Sequence, residues 1–209
     1  MNQSGLLFDY DPTENLLPKG GQVFYYGSIF NFKDSHYYFS NLMQTVPWRN
    51  DEAVIYDKRI ITDRKVAWVG DKNYSYTYSG TTKHATVWTS ELLDIKNKIE
   101  ALLETKFNSC LLNLYHSGSE GMAWHSDDEM SLGHNTTIAS VSFGAPRKFS
   151  FKHKITKETV SLTLEHGSLL VMKGETQTYW QHSLPKATRV EQPRINLTFR
   201  TIVTQITSK

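Results

Sequence analysis

The chain of 209 residues contains one cysteine, Cys110, and that scarcity is informative. No internal disulfide can form, no zinc site can be built on thiolates, and a single thiol suits a reducing compartment. Long apolar runs are missing too: no stretch approaches the ~18 residues that a membrane-spanning helix needs. The opening Met-Asn-Gln-Ser-Gly has neither the basic nor the apolar region of a secretory signal. Nor does charge of one sign dominate. With 23 basic and 21 acidic residues the net charge is +2, which neither demands nor excludes a nucleic-acid partner, because a basic face can hide in a near-neutral total. Internal repeats and low-complexity tracts are absent. The expectation is a soluble intracellular protein, a monomer with no membrane partner. Residues 1–209 make one domain, since this length allows a sizeable core without requiring two.

Along the chain, residues 1–22 carry Pro12, Pro18, Gly20 and Gly21 with little periodicity and read as a poorly structured lead-in. Val23 to Tyr26 can form a short strand, and Asp34 can N-cap a helix that runs to about Thr45 and stops before Pro47. Residues 46–88 have another texture. Tyr56, Trp68, Tyr74, Tyr76, Tyr78 and Trp88 are interleaved with Arg49, Lys58, Arg59, Arg64, Lys65, Lys72 and Lys83. Rings that stack on bases and cations that meet phosphates suit a nucleic-acid surface. The plainer alternative is a set of short strands with half-buried tyrosines. From Ser90 to about Lys106, Leu92, Ile95, Ile99, Leu102 and Leu103 recur at helical spacing, with Thr89 or Ser90 as N-cap. Extended segments then follow at Cys110–Tyr115, Thr137–Phe143, Lys148–His153, Val160–Leu164, Ser168–Met172 and Arg194–Val203, punctuated by glycines. The fold class is α+β, mainly β, with many short strands arguing for a sandwich or jelly roll.

One stretch concentrates chemistry: Trp124-His125-Ser126-Asp127-Asp128-Glu129. If it is extended, His125 and Asp127 project from the same side, because strand side chains alternate. Two ligands are too few for a metal, and His116, His134, His153, His166 and His182 all remain open as the third. The last strand, Pro193 to Arg200, alternates completely. Ile195, Leu197 and Phe199 face one way, and Arg194, Asn196, Thr198 and Arg200 the other, a face too polar for a dry core. Arg194 and Arg200 are separated by roughly 20 Å of strand at ~3.3 Å per residue, so they cannot fork one carboxylate. They can hold the two ends of a small dicarboxylate. The alternative is an exposed edge strand with both arginines in solvent.

His125-Ser-Asp127, His182 and Arg194-x5-Arg200 together resemble the AlkB family of Fe(II)/2-oxoglutarate-dependent dioxygenases, in its branch that repairs alkylated DNA. The likeness extends to Phe107-Asn108, Leu112-Asn-Leu-Tyr115, Ile138 to Ala145, His166 to Met172 and Pro193 to Arg200, and covers about Asp63 to Ile202. The resemblance implies a double-stranded β-helix over about residues 107–204, with supporting N-terminal helices and a nucleotide-recognition lid over about 46–88. It implies an iron triad of His125, Asp127 and His182. It also implies a 2-oxoglutarate site lined by Asn113, Tyr115, Arg194, Asn196, Thr198 and Arg200, with Arg194 on the distal carboxylate and Arg200 near the metal. The other four histidines are left as structural or surface residues.

By the same resemblance, the substrate is 1-methyladenine or 3-methylcytosine in single- or double-stranded DNA. The methyl group leaves as formaldehyde, while 2-oxoglutarate and O2 become succinate and CO2. RNA demethylation and a non-catalytic nucleic-acid binder are the alternatives. Tyr74 to Gly80 is similar to a base-holding hairpin, which makes Tyr76, Tyr78 and Ser79 substrate-binding residues, with Tyr78 stacking on a base flipped against His125. Asp128 and Glu129 accept from its exocyclic amine, Arg64 lies over the pocket, and Trp124 packs behind the strand. Departures are Asp63 where the family usually has proline, Tyr56-Asp57-Lys58 as the nearest counterpart of a wedging aromatic, and a short basic loop at Lys152 to Lys157.

Overall fold

The computed structural model describes residues 10–55, 58–78 and 81–203. Strand β1 (Gln22–Ser28) and helix α1 (Phe32–Thr45) come first, then β2 (Arg49–Ile55), β3 (Lys58–Gly70), β4 (Ser75–Tyr78) and β5 (Thr81–His84). Helix α2 (Ser90–Leu103) leads into β6 (Ser109–Tyr115), β7 (Met122–His125), β8 (Ile138–Gly144), β9 (Arg147–His153), β10 (Thr159–Leu164) and β11 (Ser168–Lys173). A short helix α3 (Thr176–Tyr179) runs directly into β12 (Trp180–Leu184), and β13 (Arg194–Arg200) closes the fold.

Two antiparallel sheets make the jelly roll: a seven-stranded one in the order β1-β11-β8-β13-β6-β3-β2 and a four-stranded one in the order β10-β9-β12-β7. Strand alternation divides the large sheet into two chemistries. Leu112, Leu114, Val141, Phe143, Ile195, Leu197 and Phe199 are buried on the face covered by α1 and α2. Between the sheets a second core gathers Tyr25, Ile138, Phe149, Phe151, Leu170, Met172 and Trp180. The polar face of β13 points to this second side, where the site lies.

Local chemistry explains the helix ends. α1 begins two residues before the expected cap: Asn31, not Asp34, is its N-cap. Asn31 Oδ1 accepts from the Asp34 N–H and its amide donates to the Asp34 carboxylate, both at 2.8 Å, so Asp34 serves inside the first turn. α2 starts at the expected place with Thr89 as cap, but ends at Leu103 because Glu104 takes a left-handed conformation. Leu92, Ile95, Ile99 and Leu103 are buried, whereas Leu102 is exposed.

The region read as a lid is partly a structural wall. β3 pairs with β6 from Lys65↔Leu114 to Gly70↔Ser109, inside the large sheet. Trp68 donates to Ser109 Oγ at 2.7 Å, and Trp88 stacks on Phe199 with centroids 6.1 Å apart, so these two rings have packing roles. Only β4 and β5 form a two-stranded sheet of their own. Residues 10–21 lack regular structure yet are not idle. Leu17 is buried, Asn15 Oδ1 accepts from the Val23 N–H at 2.8 Å, and the Lys19 carbonyl accepts from Trp180 Nε1 at 2.9 Å. At Gly21 (φ +145°) a Cβ would stand 2.8 Å from Thr176 Cα, so glycine lets this segment lie against α3.

Candidate metal and co-substrate site

β7 is an edge strand only four residues long, and its last residue carries the first imidazole. His125 is the direct cross-strand partner of His182 on β12. Asp127 follows just past the strand end, and its carboxylate lies 3.8 Å from His125 Nε2. One donor atom from each of His125, Asp127 and His182 falls within 4.8 Å of the others, and among the described residues this is the one such cluster. The ring nitrogens are already sorted. His125 Nδ1 donates to the Ala123 carbonyl at 2.8 Å, which leaves the Nε2 lone pair free for a metal. Burial lowers His182 to about 4, with His125 and Arg200 adding to the effect and Asp127 opposing it, so its ring is neutral. Burial resists ionisation of Asp127, but Arg200, His182 and His125 outweigh it and hold the carboxyl below its ordinary range. Two imidazoles and a carboxylate on one side of a cavity suit Fe(II) with coordination positions left open.

The triad opens onto a cavity of about 170 Å³. Its opposite wall is built by register across three neighbouring strands. Gly144, Arg194 and Tyr115 form one row, Ser142, Asn196 and Asn113 the next, and Ser140, Thr198 and Leu111 the third. Asn113, Tyr115, Arg194, Asn196, Thr198 and Arg200 all line this cavity together with the triad and Glu129. Arg194 is 1% exposed, donates to Ser142 Oγ at 3.0 Å and lies 5.5 Å from the Tyr115 ring. Burial pulls its pKa down to about 10, Arg147 adding and Tyr115 opposing, so the guanidinium remains charged at neutral pH. The Nε atoms of Arg194 and Arg200 are buried with no hydrogen-bond partner among the described residues. Two arginines with buried Nε donors to spare, in a cavity that also holds the metal triad, fit a dicarboxylate such as 2-oxoglutarate.

The base-side residues divide. Glu129 lines the cavity, 3.7 Å from Arg200 Nη1. Asp128 does not; it is largely exposed, 3.8 Å from Lys154 Nζ. Arg64 does not line the cavity; it lies beside Asn113, buried and donating to Asn113 Oδ1 and to the Asp51 carboxylate. The pairing of Val66 with Asn113 puts Arg64 on the same face as that asparagine, which explains the placement. Tyr76 and Tyr78 stand on β4, paired with Lys83 and Thr81. Ser79, Gly80, Tyr56 and Asp57 lie outside the described residues. Trp124 does not pack behind its strand. It is exposed on the outer face, with Lys152 Nζ 4.3 Å from its ring. Of the other histidines, His166 accepts from the Gly144 N–H, His153 from the Ile155 and Thr156 N–H groups, His116 pairs with Glu120, and His134 is exposed.

Some contributors escaped the sequence reading. Ser140 and Ser142 alternate with Ala139, Val141 and Phe143, so the period-two signal that exposed β13 was present in β8 as well. Arg147 gave no such signal. It is 1% exposed and donates to the carbonyls of Ser117 (3.3 Å), Glu120 (2.9 Å) and Pro185 (2.8 Å), joining the loop after Tyr115 to the loop after His182.

Comparison with known proteins agrees with this geometry. A sequence model of the 2OG-Fe(II) oxygenase superfamily matches residues 22–200. Human "alpha-ketoglutarate-dependent dioxygenase alkB homolog 3" is 39% identical over 199 residues, covering 90% of this chain and 69% of the human one. Mouse "DNA oxidative demethylase ALKBH2" is 37% identical over 189 residues, covering 85% of this chain and 79% of the mouse one. The solved structure of OsALKBH1 superposes with a TM-score of 0.57 at 16% identity, over 88% of this chain and 98% of that one, a likeness of fold.

Proposed function

Because the chain belongs to the AlkB family of the 2OG-Fe(II) oxygenase superfamily, we propose that it is an oxidative demethylase of alkylated bases in DNA, 1-methyladenine and 3-methylcytosine above all, working inside the cell as one dioxygenase domain. The observation that carries the reading is one cavity in which a two-histidine, one-carboxylate set faces two arginines with donors unpartnered among the described residues. When bound, Fe(II) with 2-oxoglutarate and O2 supplies the oxidation that turns an N-methyl group into a hydroxymethyl group, which leaves as formaldehyde beside succinate and CO2.

The chain's own residues bind and orient. His125, Asp127 and His182 would hold the metal, their donor atoms within 4.8 Å of one another at the cavity wall. Arg194 takes the distal carboxylate of the co-substrate with Tyr115 across the same row, while Asn113, Asn196 and Thr198 fix its length. Arg200, near both Asp127 and Glu129, balances charge at the metal end. Arg64 braces Asn113 through its hydrogen bond to Oδ1. Glu129, which lines the cavity, accepts from the exocyclic amine of adenine or cytosine, and Tyr78 on the β4–β5 hairpin stacks on the extruded base beside Tyr76.

Grip on a second strand is weak in this reading. Lys152 is engaged with Trp124, Lys154 donates to the Gln177 carbonyl at 2.8 Å, and Lys157 donates to the Lys154 carbonyl at 2.6 Å, which supports substrates held mainly by one strand. The test is incubation with Fe(II), 2-oxoglutarate and a 3-methylcytosine oligonucleotide, single-stranded and duplex, as DNA and as RNA. Formaldehyde and unmodified base are expected, fastest on single-stranded DNA. No turnover by iron-loaded protein would overturn the reading, a tenfold higher kcat/KM on RNA would move it to RNA, and binding without co-substrate consumption would make the protein a binder.

A further inference from the structure

Each of the three metal-site residues has its own support, and they differ. His125 is fixed by its bond to the Ala123 carbonyl and by pairing with His182. His182 sits between β7 and β9 and stacks on Phe149, centroids 5.5 Å apart at 28°. Asp127 has no ladder at all, since β7 ends two residues earlier. Its N–H donates instead to Gln177 Oε1 at 2.9 Å, the one main-chain hydrogen bond at Asp127 among the described residues. Gln177 is 8% exposed and its amide nitrogen lies 3.4 Å from Met172 Sδ, so the side chain is held at both ends. The neighbours follow suit: Ser126 Oγ donates to the Trp180 carbonyl at 3.0 Å, and Asp128 is 3.8 Å from Lys154 Nζ, which donates to the Gln177 carbonyl.

We propose that Gln177 is a positioning residue for the carboxylate ligand of the metal: by holding the Asp127 main chain it sets where that carboxylate stands relative to His182, and hence how tightly the metal is kept. Gln177 belongs to α3, which runs without a break into the strand of His182, so its side chain ties the loop of one ligand to the segment that leads into the strand of another. The inference rests on the metal-dependent reading above. It adds a residue that touches neither metal nor co-substrate. Partners of this kind outside the ligand set commonly govern metal affinity by 10–100-fold.

The experiment is titration of metal-free protein with Co(II), followed by its d–d absorption, beside the melting temperature of the metal-free form. Gln177→Met keeps the volume and removes the acceptor. It should weaken Co(II) binding by roughly 10–100-fold and alter the band shape, with little change in melting temperature. Gln177→Glu keeps an acceptor and should bind Co(II) far more like the parent. Parent-like affinity and spectrum in Gln177→Met overturn the proposal, as does an equal loss in both variants. Should Gln177→Met fail to fold, Gln177→Asn, an amide drawn back by one methylene, decides by the same two outcomes against the parent. A parent that binds Co(II) yet turns over no methylated base defeats the demethylase reading and leaves this assignment standing.

Discussion

His125 and His182 face each other directly across the β7–β12 pair, their ring centroids 4.2 Å apart at 63°. Neither imidazole is close to the other in sequence, and the short distance between them exists only because both strands are in register. For His182, burial makes protonation costly, and the nearby His125 adds to it.

Acid should therefore unfold the metal-free protein in a defined window. His182 is lowered by burial to about 4 from an ordinary 6.5, so the unfolded chain takes up this proton first as pH falls. Stability is complete above about pH 6.5 and declines until about pH 4, by about 3 kcal/mol in all. Asp127, also lowered, continues the loss below that. Denaturant midpoints from pH 7 to pH 4 should show the decline, and His182→Gln should flatten it; the same slope in both proteins would assign it to another group.

Removal of the distal arginine should be felt by the co-substrate. Arg194→Ala should raise the KM for 2-oxoglutarate by about 10–100-fold with a smaller change in kcat, the loss of a charge-assisted pair worth ~1.5–3 kcal/mol. Steady-state kinetics against 2-oxoglutarate check it. An unchanged KM would place the distal carboxylate elsewhere.

For the base, the expected handle is Tyr78. Tyr78→Ala should weaken binding of a methylated oligonucleotide by ~1–3 kcal/mol, the range of base–aromatic stacking. Fluorescence anisotropy on catalytically silent Co(II)-loaded protein reads it directly, and equal affinity removes Tyr78 from the pocket.

Arg147 predicts a cost in stability. Arg147→Met leaves three carbonyls without their donor and should lose roughly 3 kcal/mol in chemical denaturation, with Arg147→Lys recovering only part, because one ammonium cannot span all three. A loss under about 0.5 kcal/mol, the range of ordinary surface substitutions, would show that the loops hold themselves.

Cys110 should be chemically silent. It is fully buried, and burial pushes its thiol well above the ordinary range. A thiol reagent at neutral pH should titrate nothing in the native state and one group in denaturant; rapid native labelling would contradict the packing around β6.

How much of this was readable in advance depended on whether a pattern repeated. β13 and α2 repeat their pattern over several periods, so their faces could be named residue by residue. β7 and β12 carry the two histidines of the triad on four and five residues, too few for alternation to show from their own residues. The cap of α1 was misplaced although Asn31-x-x-Asp34 held the signal, because either polar residue can cap and only the reciprocal pair decides. Arg64 and Asp128 show the limit of likeness: residue types matched a pocket, but the strand face and the neighbouring lysine set where each side chain went. Gln177 and Arg147 act through main-chain atoms far away in sequence, and no local spacing encodes such a partner.

The site is assembled almost wholly from distant parts of the chain. His125 meets His182, Arg194 meets Tyr115, and Gln22 and Val23 lie against Lys173 and Met172. The arginine wall of the cavity cannot close until β13 has been made, and pairings of such long range are slow to form. Whatever binds there recognises only the finished fold, so metal and co-substrate draw the whole folding equilibrium by mass action, about 2.7 kcal/mol at a hundredfold excess over Kd. Supply of iron and 2-oxoglutarate thereby enters the stability of the whole fold, and the apparent melting temperature becomes a function of both concentrations.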